Sequence, residues 1–440
     1  MFMEEKYLEK FATYTPTRFY PRPSELINAA KARSLWQDHL AKEAVDNTKV
    51  NLQLVFPFCA KRCFFCFCQT KKPDENLLNK YVDYLASNLD YFSSAAEGFK
   101  FHDLMIGSGS VNLLSEEQLN LLLGNVFSGY HFADRNKTVE IFPDPDFNQA
   151  KLEILTKYGI DKVSIGVETF NKEIIEAANR QYKSPVEIKN TIELLRQNKI
   201  ININLDFILG LAGHDFKGVL HDLREAVKLE PAQIALYTLQ PTRTYTNLHF
   251  KNKDSFYQHL DKFTRKIAMI DSLMSKFDYV NYASNEAVNV YYNNKYKADL
   301  EKMYFDYPFW GGCQDEYSNF SLGQFSPNYL RGEYFVMNRY NGNDYIFNDQ
   351  EEVFDLIKFN KDDLAVDFAL GYWGRNMALP LNDFQACFAV DFLEKFPQAK
   401  QLIEDEVLRN KGKSLKFNPT LNTKQRLLYM IKLFPRLFES

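Results

Sequence analysis

The chain has 440 residues, 45% of them apolar and 25% charged, and a net charge of −4 spread over interleaved acids and bases. This is a globular balance, long enough for about two to three domains; it excludes a disordered chain and offers no basic face for nucleic acid. The first residues, MFMEEKYLEKFATY, hold early acids and no apolar run, and no apolar run of about 18 residues occurs anywhere, so neither a secretory signal nor a membrane span is expected, and the expected compartment is the cytoplasm.

From Asn51 to Leu239 short apolar runs alternate with longer amphipathic stretches. NLQLVF (51–56) reads as a first strand, followed by a cysteine-bearing loop and a helix from Glu75 to Phe92. FHDLMIG (101–107) is a second strand ending on glycine, and Ser115 caps the next helix. TVEIF (138–142) is the third strand, with a helix from Asn148 to Tyr158 after it. KVSIGVE (162–168) is the fourth. Ser184-Pro185 opens a helix ending near Gln197, its proline at a first-turn position where no backbone donor is missed. ININLDFI (201–208), a helix from Asp215 to Leu229, and QIALYTL (233–239) complete six strand–helix units.

Such alternation predicts an α/β fold with a parallel sheet, whose site gathers at the carboxyl ends of the strands. The cysteine loop, Gly107-Ser108-Gly109, Glu140, Glu168 and the Asp206 region all fall at or near strand ends. Beyond Thr244 the alternation fades into helical signals and Asn/Tyr-rich loops, which marks a separate C-terminal region. Aromatics reach 15%, with 38 Phe and 26 Tyr, densest from Phe277 to Tyr345. They fit either a large aromatic core or a flat hydrophobic substrate cavity.

Four of six cysteines fall between Cys59 and Cys68, in the run PFCAKRCFFCFCQ, while Cys313 and Cys387 stand alone. A disulfide framework would spread its cysteines, so a tight group reads as a metal or redox site. Three thiolates at C-x3-C-x2-C can each hold one iron of a cubane cluster and leave one iron with an open position. The alternative is a zinc knuckle, with Cys68 as the one nearby fourth ligand. Phe58, Phe64, Phe65 and Phe67 would shield a cluster from water, or simply pack the loop.

At these residues the chain resembles the radical S-adenosylmethionine (SAM) enzymes of the oxygen-independent coproporphyrinogen III oxidase, or HemN-like, type, a group that includes class C radical SAM methyltransferases and heme chaperones. PFCAKRCFFCFC is similar to the family's cluster loop and IGSGSVNLLSEEQL to its glycine-rich turn. VEIFPDPDF, DKVSIGVETFNKEIIEAANRQY, INLDFILGLAGH and ALYTLQPTRTY resemble its third- to sixth-strand motifs, and FSLGQFSPNYLRGEYFVMNRYNGNDYI its later Gly/Ser stretch. The N-terminal ATYTPTRFY resembles its RYTSYPTA segment.

The resemblance implies a partial (β/α)6 radical SAM barrel over 46–245, an N-terminal segment (1–45) packed on it, and a C-terminal HemN-like α+β/helical domain over 246–440. It implies a [4Fe-4S] cluster on Cys59, Cys63 and Cys66. Gly107, Ser108, Gly109 and Ser110 would approach the methionine end of SAM, Glu140 its ribose, and Arg180 its carboxylate. Glu168 and Asp206 fall where the family contacts SAM, and Gln53 and Phe67 where some members bind a second SAM. Each has a plainer reading: a strand-end Glu as a surface ion pair, Arg180 as a helix-end charge, Cys68 as a packed thiol.

Where coproporphyrinogen-oxidising members have Tyr and His before the loop, this chain has Gln53 and Val55; its glycine turn is GSGS, and its fourth strand ends GVET. Cys68, by contrast, completes the C-x-C ending of those oxidases. The expected activity is cleavage of SAM to a 5′-deoxyadenosyl radical and, with a second SAM, C-methylation of a small aromatic or conjugated molecule, Gln53 and Cys68 being the catalytic candidates. Oxidative decarboxylation of coproporphyrinogen III and heme delivery are the alternatives. The expected partners are an aromatic or tetrapyrrole-like substrate and an electron donor such as flavodoxin or ferredoxin, with no nucleic acid and no membrane; a monomer is expected.

Overall fold

The computed structural model describes residues 25–434, apart from 47–48, 69, 95, 145–146, 285–287, 300–316, 325, 339–352 and 374–377. The ATYTPTRFY segment, Cys313 and the NGNDYI run lie outside the described residues.

The central strands are β1 (Glu25–Asn28), β2 (Lys49–Val55), β3 (Leu104–Gly107), β4 (Lys137–Ile141), β5 (Lys162–Glu168), β6 (Asn202–Leu209) and β7 (Gln233–Thr238). From β2 to β7 each strand pairs in parallel with the next. The helices between them are α1 (Ala29–Asp46, before β2), α2 (Glu75–Ser93), α3 (Glu116–Gly129), α4 (Gln149–Lys157), α5 (Lys172–Ala177), α6 (Pro185–Gln197) and α7 (Phe216–Lys228). Their starts follow from side-chain capping. Asp74, Asn148 and Asp215 each accept from a first-turn backbone N–H, and Ser115 and Ser184 form full capping boxes. Helix α2 buries Leu78, Tyr81, Val82, Leu85, Leu89 and Phe92, spaced to make one apolar stripe. Each such side chain contributes about 1.5–3 kcal/mol on burial.

The second strand is shorter than the sequence pattern. It begins at Leu104, because Lys100–Phe101 pairs separately with His131–Phe132 and the fully buried Asp103 turns the chain between them. Asp103 is held there by Arg135 at 3.2 Å.

The sheet continues past the six alternating units. Strands β8 (Tyr279–Ser284) and β9 (Val288–Asn293) extend it antiparallel beyond β7. Strand β10 (Tyr317–Leu322) lies parallel to β2, and β11 (Pro327–Leu330), β12 (Tyr334–Asn338), β13 (Val353–Lys358) and β1 follow outward. The 13-stranded order is β1-β13-β12-β11-β10-β2-β3-β4-β5-β6-β7-β9-β8, an open rather than closed barrel.

Along each core strand, one set of alternate residues packs beneath the helices. Leu52, Leu54, Leu104, Ile106, Val139, Ile141, Ile203, Leu205 and Phe320 belong to that core. The other set forms the inner face and is largely polar: Asn51, Gln53, Thr138, Glu140, Lys162, Ser164, Asn204, Asp206, Gln233, Asn319 and Ser321. A second core, centred on Trp373, Phe384 and Phe392, is built from residues 365–434. Among the described residues no helix is long and apolar enough to cross a membrane.

Candidate functional site at the strand carboxyl ends

The cysteine loop leaves β2 and is tied down on both sides. Cys59 N–H donates to Lys71 O (3.1 Å) and Phe64 N–H to Ala178 O (3.0 Å). Asn179 Nδ2 donates to Arg62 O (2.8 Å), and Thr242 Oγ1 to Phe64 O (3.0 Å). Cys63 and Phe65 are buried with Ile175, Ala178, Leu211 and Tyr245, so part of the loop sits in an apolar pocket. Phe64 and Cys66 are half-buried against it, and Phe58 packs instead with Phe56 and Tyr81. Phe67 stands 55% exposed.

The glycine turn after β3 fits under this loop by close backbone approach. A Cβ on Gly109 would overlap the carbonyl oxygens of Phe56 and Phe58, and one on Gly107 the Glu140 carboxylate. Ser110 N–H donates to Phe58 O (2.8 Å), and its hydroxyl lies 3.8 Å from Cys59 Sγ. Ser108 adopts φ 79°, Glu168 φ 68° and Asn179 φ 60°. Three non-glycine residues in the left-handed region around one site is local strain of the kind functional sites hold.

The charged residues of the strand ends meet there. Ser108 N–H donates to Glu140 Oε2 (2.7 Å). Arg180 Nη2 lies 3.3 Å from Glu168 Oε1 and donates to Gly166 O (2.6 Å), while Nη1 lies 3.4 Å from Cys63 Sγ. Asp206 accepts from Ser164 Oγ and Asn204 Nδ2, both at 2.6 Å. At Gly166–Glu168 the β5–β6 register shifts, and that irregularity turns Glu168 toward Arg180.

The electrostatics follow from burial. Desolvation, aided by Asp206, pushes the Glu140 carboxyl up to about 8. Burial pushes Glu168 up to about 7 against the pull of Arg180, and raises Asp206. Burial also pushes the Cys59 thiol up to about 11 and raises Cys63. Such a pocket disfavours uncompensated anions and suits ligands that bring positive charge: iron on the thiolates and a sulfonium or ammonium among the carboxylates.

The residues present therefore fit a cubane cluster and SAM. Cys59, Cys63 and Cys66 sit on one constrained loop, apolar on one side, with a guanidinium beside Cys63. Among the described residues no three His, Cys, Asp or Glu gather closely enough to hold a single metal ion.

Cys59, Cys63, Cys66, Gly107, Ser108, Gly109, Ser110, Glu140, Glu168, Arg180 and Asp206 thus converge on one end of the sheet. Gln53 lies deeper, on the inner face of β2, where Oε1 accepts from Asn319 Nδ2 and Ser321 Oγ, both at 3.2 Å. Cys68 is half-buried next to Cys66. Sequence reasoning missed the polar inner face itself. The period-2 alternation in ININLDF and SNFSL carries that signal, with polar residues on one side and apolar on the other.

Residues 54–226 match the family described as the radical SAM superfamily. The oxygen-independent coproporphyrinogen III oxidase of Paracoccus denitrificans is 29% identical over 191 residues, 43% of this chain and 42% of that protein. The heme chaperone HemW of Buchnera aphidicola subsp. Schizaphis graminum is 26% identical over 253 residues, 56% of this chain and 66% of its own length. These alignments thus span less than two thirds of the curated relatives. The Escherichia coli coproporphyrinogen III oxidase HemN, described as a radical SAM enzyme, superimposes with a TM-score of 0.71 at 17% identity, over 99% of this chain and 98% of that one, so the fold is shared. The cofactors of the radical SAM family are a [4Fe-4S] cluster and SAM. Residues 54–226 thus resemble the radical SAM superfamily, and the chain shares the fold of HemN.

Proposed function

We propose that this protein is a radical SAM enzyme acting on a tetrapyrrole-like small molecule, with Cys59, Cys63 and Cys66 as the cluster ligands. One observation carries the reading: the cysteine loop, the Gly107–Ser110 turn and the Glu140, Glu168, Arg180 and Asp206 side chains occupy one end of the parallel sheet. Bound together, cluster and SAM supply one-electron cleavage of the sulfonium and hence a hydrogen-abstracting carbon radical.

The chain's own groups would bind and orient. Arg180 would share its guanidinium between Glu168 and the SAM carboxylate, a task suited to a planar fork of donors. Glu140, braced by Ser108 N–H, would accept from the ribose hydroxyls. The apolar packing of Cys63 and Phe65 would keep water from the cluster. The substrate class is supported by the relatives, an oxygen-independent coproporphyrinogen III oxidase and a heme chaperone.

The C-methylation expected from the sequence leaned on Gln53 and Phe67 as neighbours of a second SAM. Gln53 has its carbonyl taken by Asn319 and Ser321, and Phe67 is largely exposed, so neither adds support for it.

The test is an anaerobically reconstituted sample with SAM, a reductant and coproporphyrinogen III. About four irons per chain and release of 5′-deoxyadenosine support the radical SAM assignment. A colourless protein that leaves SAM intact sinks it. S-adenosylhomocysteine formed in step with product would replace decarboxylation by methyl transfer, and heme retention without SAM cleavage would replace catalysis by heme handling.

A further inference from the structure

The amide of Gln53 is oriented by a chain of hydrogen bonds that can be read in one direction. Asn319 Nδ2 donates to the backbone carbonyl of Pro327 (3.0 Å). A carbonyl only accepts, so this contact identifies the nitrogen end of Asn319. The same nitrogen lies 3.2 Å from Gln53, so the Gln53 atom facing it is the oxygen. Ser321, the register partner of Gln53 on β10, donates its hydroxyl to that oxygen as well (3.2 Å). Ser321 is itself braced, its N–H bonded to Asn328 Oδ1 (2.7 Å).

The free end of Gln53 is therefore the NH2. Among the described residues Nε2 donates to nothing, and it is not sealed in the core, since Gln53 keeps 9% of its surface open on the inner face. The cations of that face are engaged elsewhere: Lys162 Nζ with Gln233 Oε1 (2.7 Å) and Arg180 with Glu168 and Gly166 O.

We propose that Gln53 is a specificity-determining residue whose Nε2 donates to a carboxylate oxygen of the substrate held inside the sheet. This rests on the tetrapyrrole reading above and names the part of such a molecule that the inner face recognises. The pyrrole N–H groups are donors, so carboxylates at the rim are the acceptors a fixed donor can select. A neutral amide held by its own carbonyl keeps its direction at little cost, and a bound group lacking the acceptor would leave it unpaired.

The experiment uses the reconstituted full chain and coproporphyrin III, the stable tetracarboxylate, as probe. Binding is followed by fluorescence titration for wild type, Gln53→Met and Gln53→Glu, with iron content and the KM for SAM measured in parallel. Gln53→Met removes the donor at similar size and is expected to weaken the probe about tenfold, as one lost hydrogen bond to a charged group does. Gln53→Glu sets an acceptor against the carboxylate and is expected to weaken it further. Asn319→Ala, which unlocks the amide, falls between wild type and Gln53→Met. The losses fall on the probe Kd while iron content and the KM for SAM hold, a split that general damage to the sheet would not give. Equal probe affinity in wild type and Gln53→Glu overturns the proposal, as does a change confined to the KM for SAM. A wild-type protein that binds no coproporphyrin III overturns the tetrapyrrole reading and this assignment with it.

Discussion

Arg180 bridges Glu168 and Cys63: its two terminal nitrogens lie 3.3 Å from the Glu168 carboxylate and 3.4 Å from the Cys63 sulfur. The ring of Phe142 lies 4.9 Å from the guanidinium carbon and covers one face of it. Burial opposes the charge, but Glu168 and Cys63 outweigh it and hold Arg180 protonated. One guanidinium thus joins the fourth-strand end to the cluster loop, although the two lie far apart in the chain.

Replacing Arg180 should therefore act on SAM and on stability together. Arg180→Lys keeps the charge but cannot reach Glu168, Gly166 O and Cys63 at once, and the KM for SAM is expected to rise about tenfold. Arg180→Ala leaves Glu168 buried without its partner, a loss of roughly 3 kcal/mol. Thermal unfolding of both variants, with SAM titrations, checks this; an unaltered KM in both would remove Arg180 from the binding site.

Glu140 should make SAM binding pH-dependent. Burial and Asp206 hold its carboxyl near 8 in the free protein, so it is mostly protonated at pH 7. A cationic ligand favours the charged form, so binding releases a proton and affinity rises with pH up to about 8. Below that, affinity falls by up to about tenfold per pH unit. Glu140→Gln should flatten this dependence, as measured by SAM titration between pH 6.5 and 8.5.

The six alternating units were legible because each helix carries its own start signal and each strand its apolar run; the Ser184-Pro185 helix begins and ends where the sequence reading places it. Strands β8 to β13 were not, for a physical reason. Strand β10 owes its place to pairing with β2, more than 260 residues earlier, and nothing local in Tyr317–Leu322 encodes that partner. Its Asn and Ser, which read as loop, are polar because they face inward. The strand-end carboxylates could be found by topology alone. Arg180 could not, since it stands outside any strand and meets Glu168 only because Asn179, in left-handed geometry, turns the chain back from α5.

His39 couples helix α1 to the sheet and is kept neutral. It is buried, with Nε2 2.8 Å from Ser318 Oγ and 3.6 Å from Glu43. Burial lowers its pKa from about 6.5 to about 4. The unfolded chain takes up the proton first, so this contribution is complete above pH 6.5 and is lost as pH falls toward 4. It amounts to at most ~3 kcal/mol. Denaturant midpoints should drop between pH 7 and pH 5, and His39→Gln should lose part of that drop.

Gly109 admits no side chain. A Cβ there would overlap the Phe56 and Phe58 carbonyls, which are backbone and cannot swing aside. Gly109→Ala should push the turn from the cysteine loop, cost about 1–3 kcal/mol, and reduce iron loading. Gly98, where a Cβ would meet nothing, is the control. Its positive φ of 76° still makes alanine mildly unfavourable, but without an effect on iron.

The four loop cysteines should divide into three and one. Three thiolates would leave one iron with an open position for SAM, and a fourth protein ligand would close it. Cys59→Ala, Cys63→Ala and Cys66→Ala should each lose most of the iron and all SAM cleavage. Cys68 has another part. Cys66 Sγ donates to the Cys68 carbonyl (3.7 Å), and the Cys68 side chain beside it holds the Cys66 thiol down to about 7, favouring the thiolate that would receive iron. Cys68→Ala should slow cluster assembly yet reach the wild-type iron content at equilibrium, as followed by absorbance during reconstitution. Loss of iron from Cys68→Ala equal to that of the other three would make Cys68 a ligand and leave SAM without its open iron.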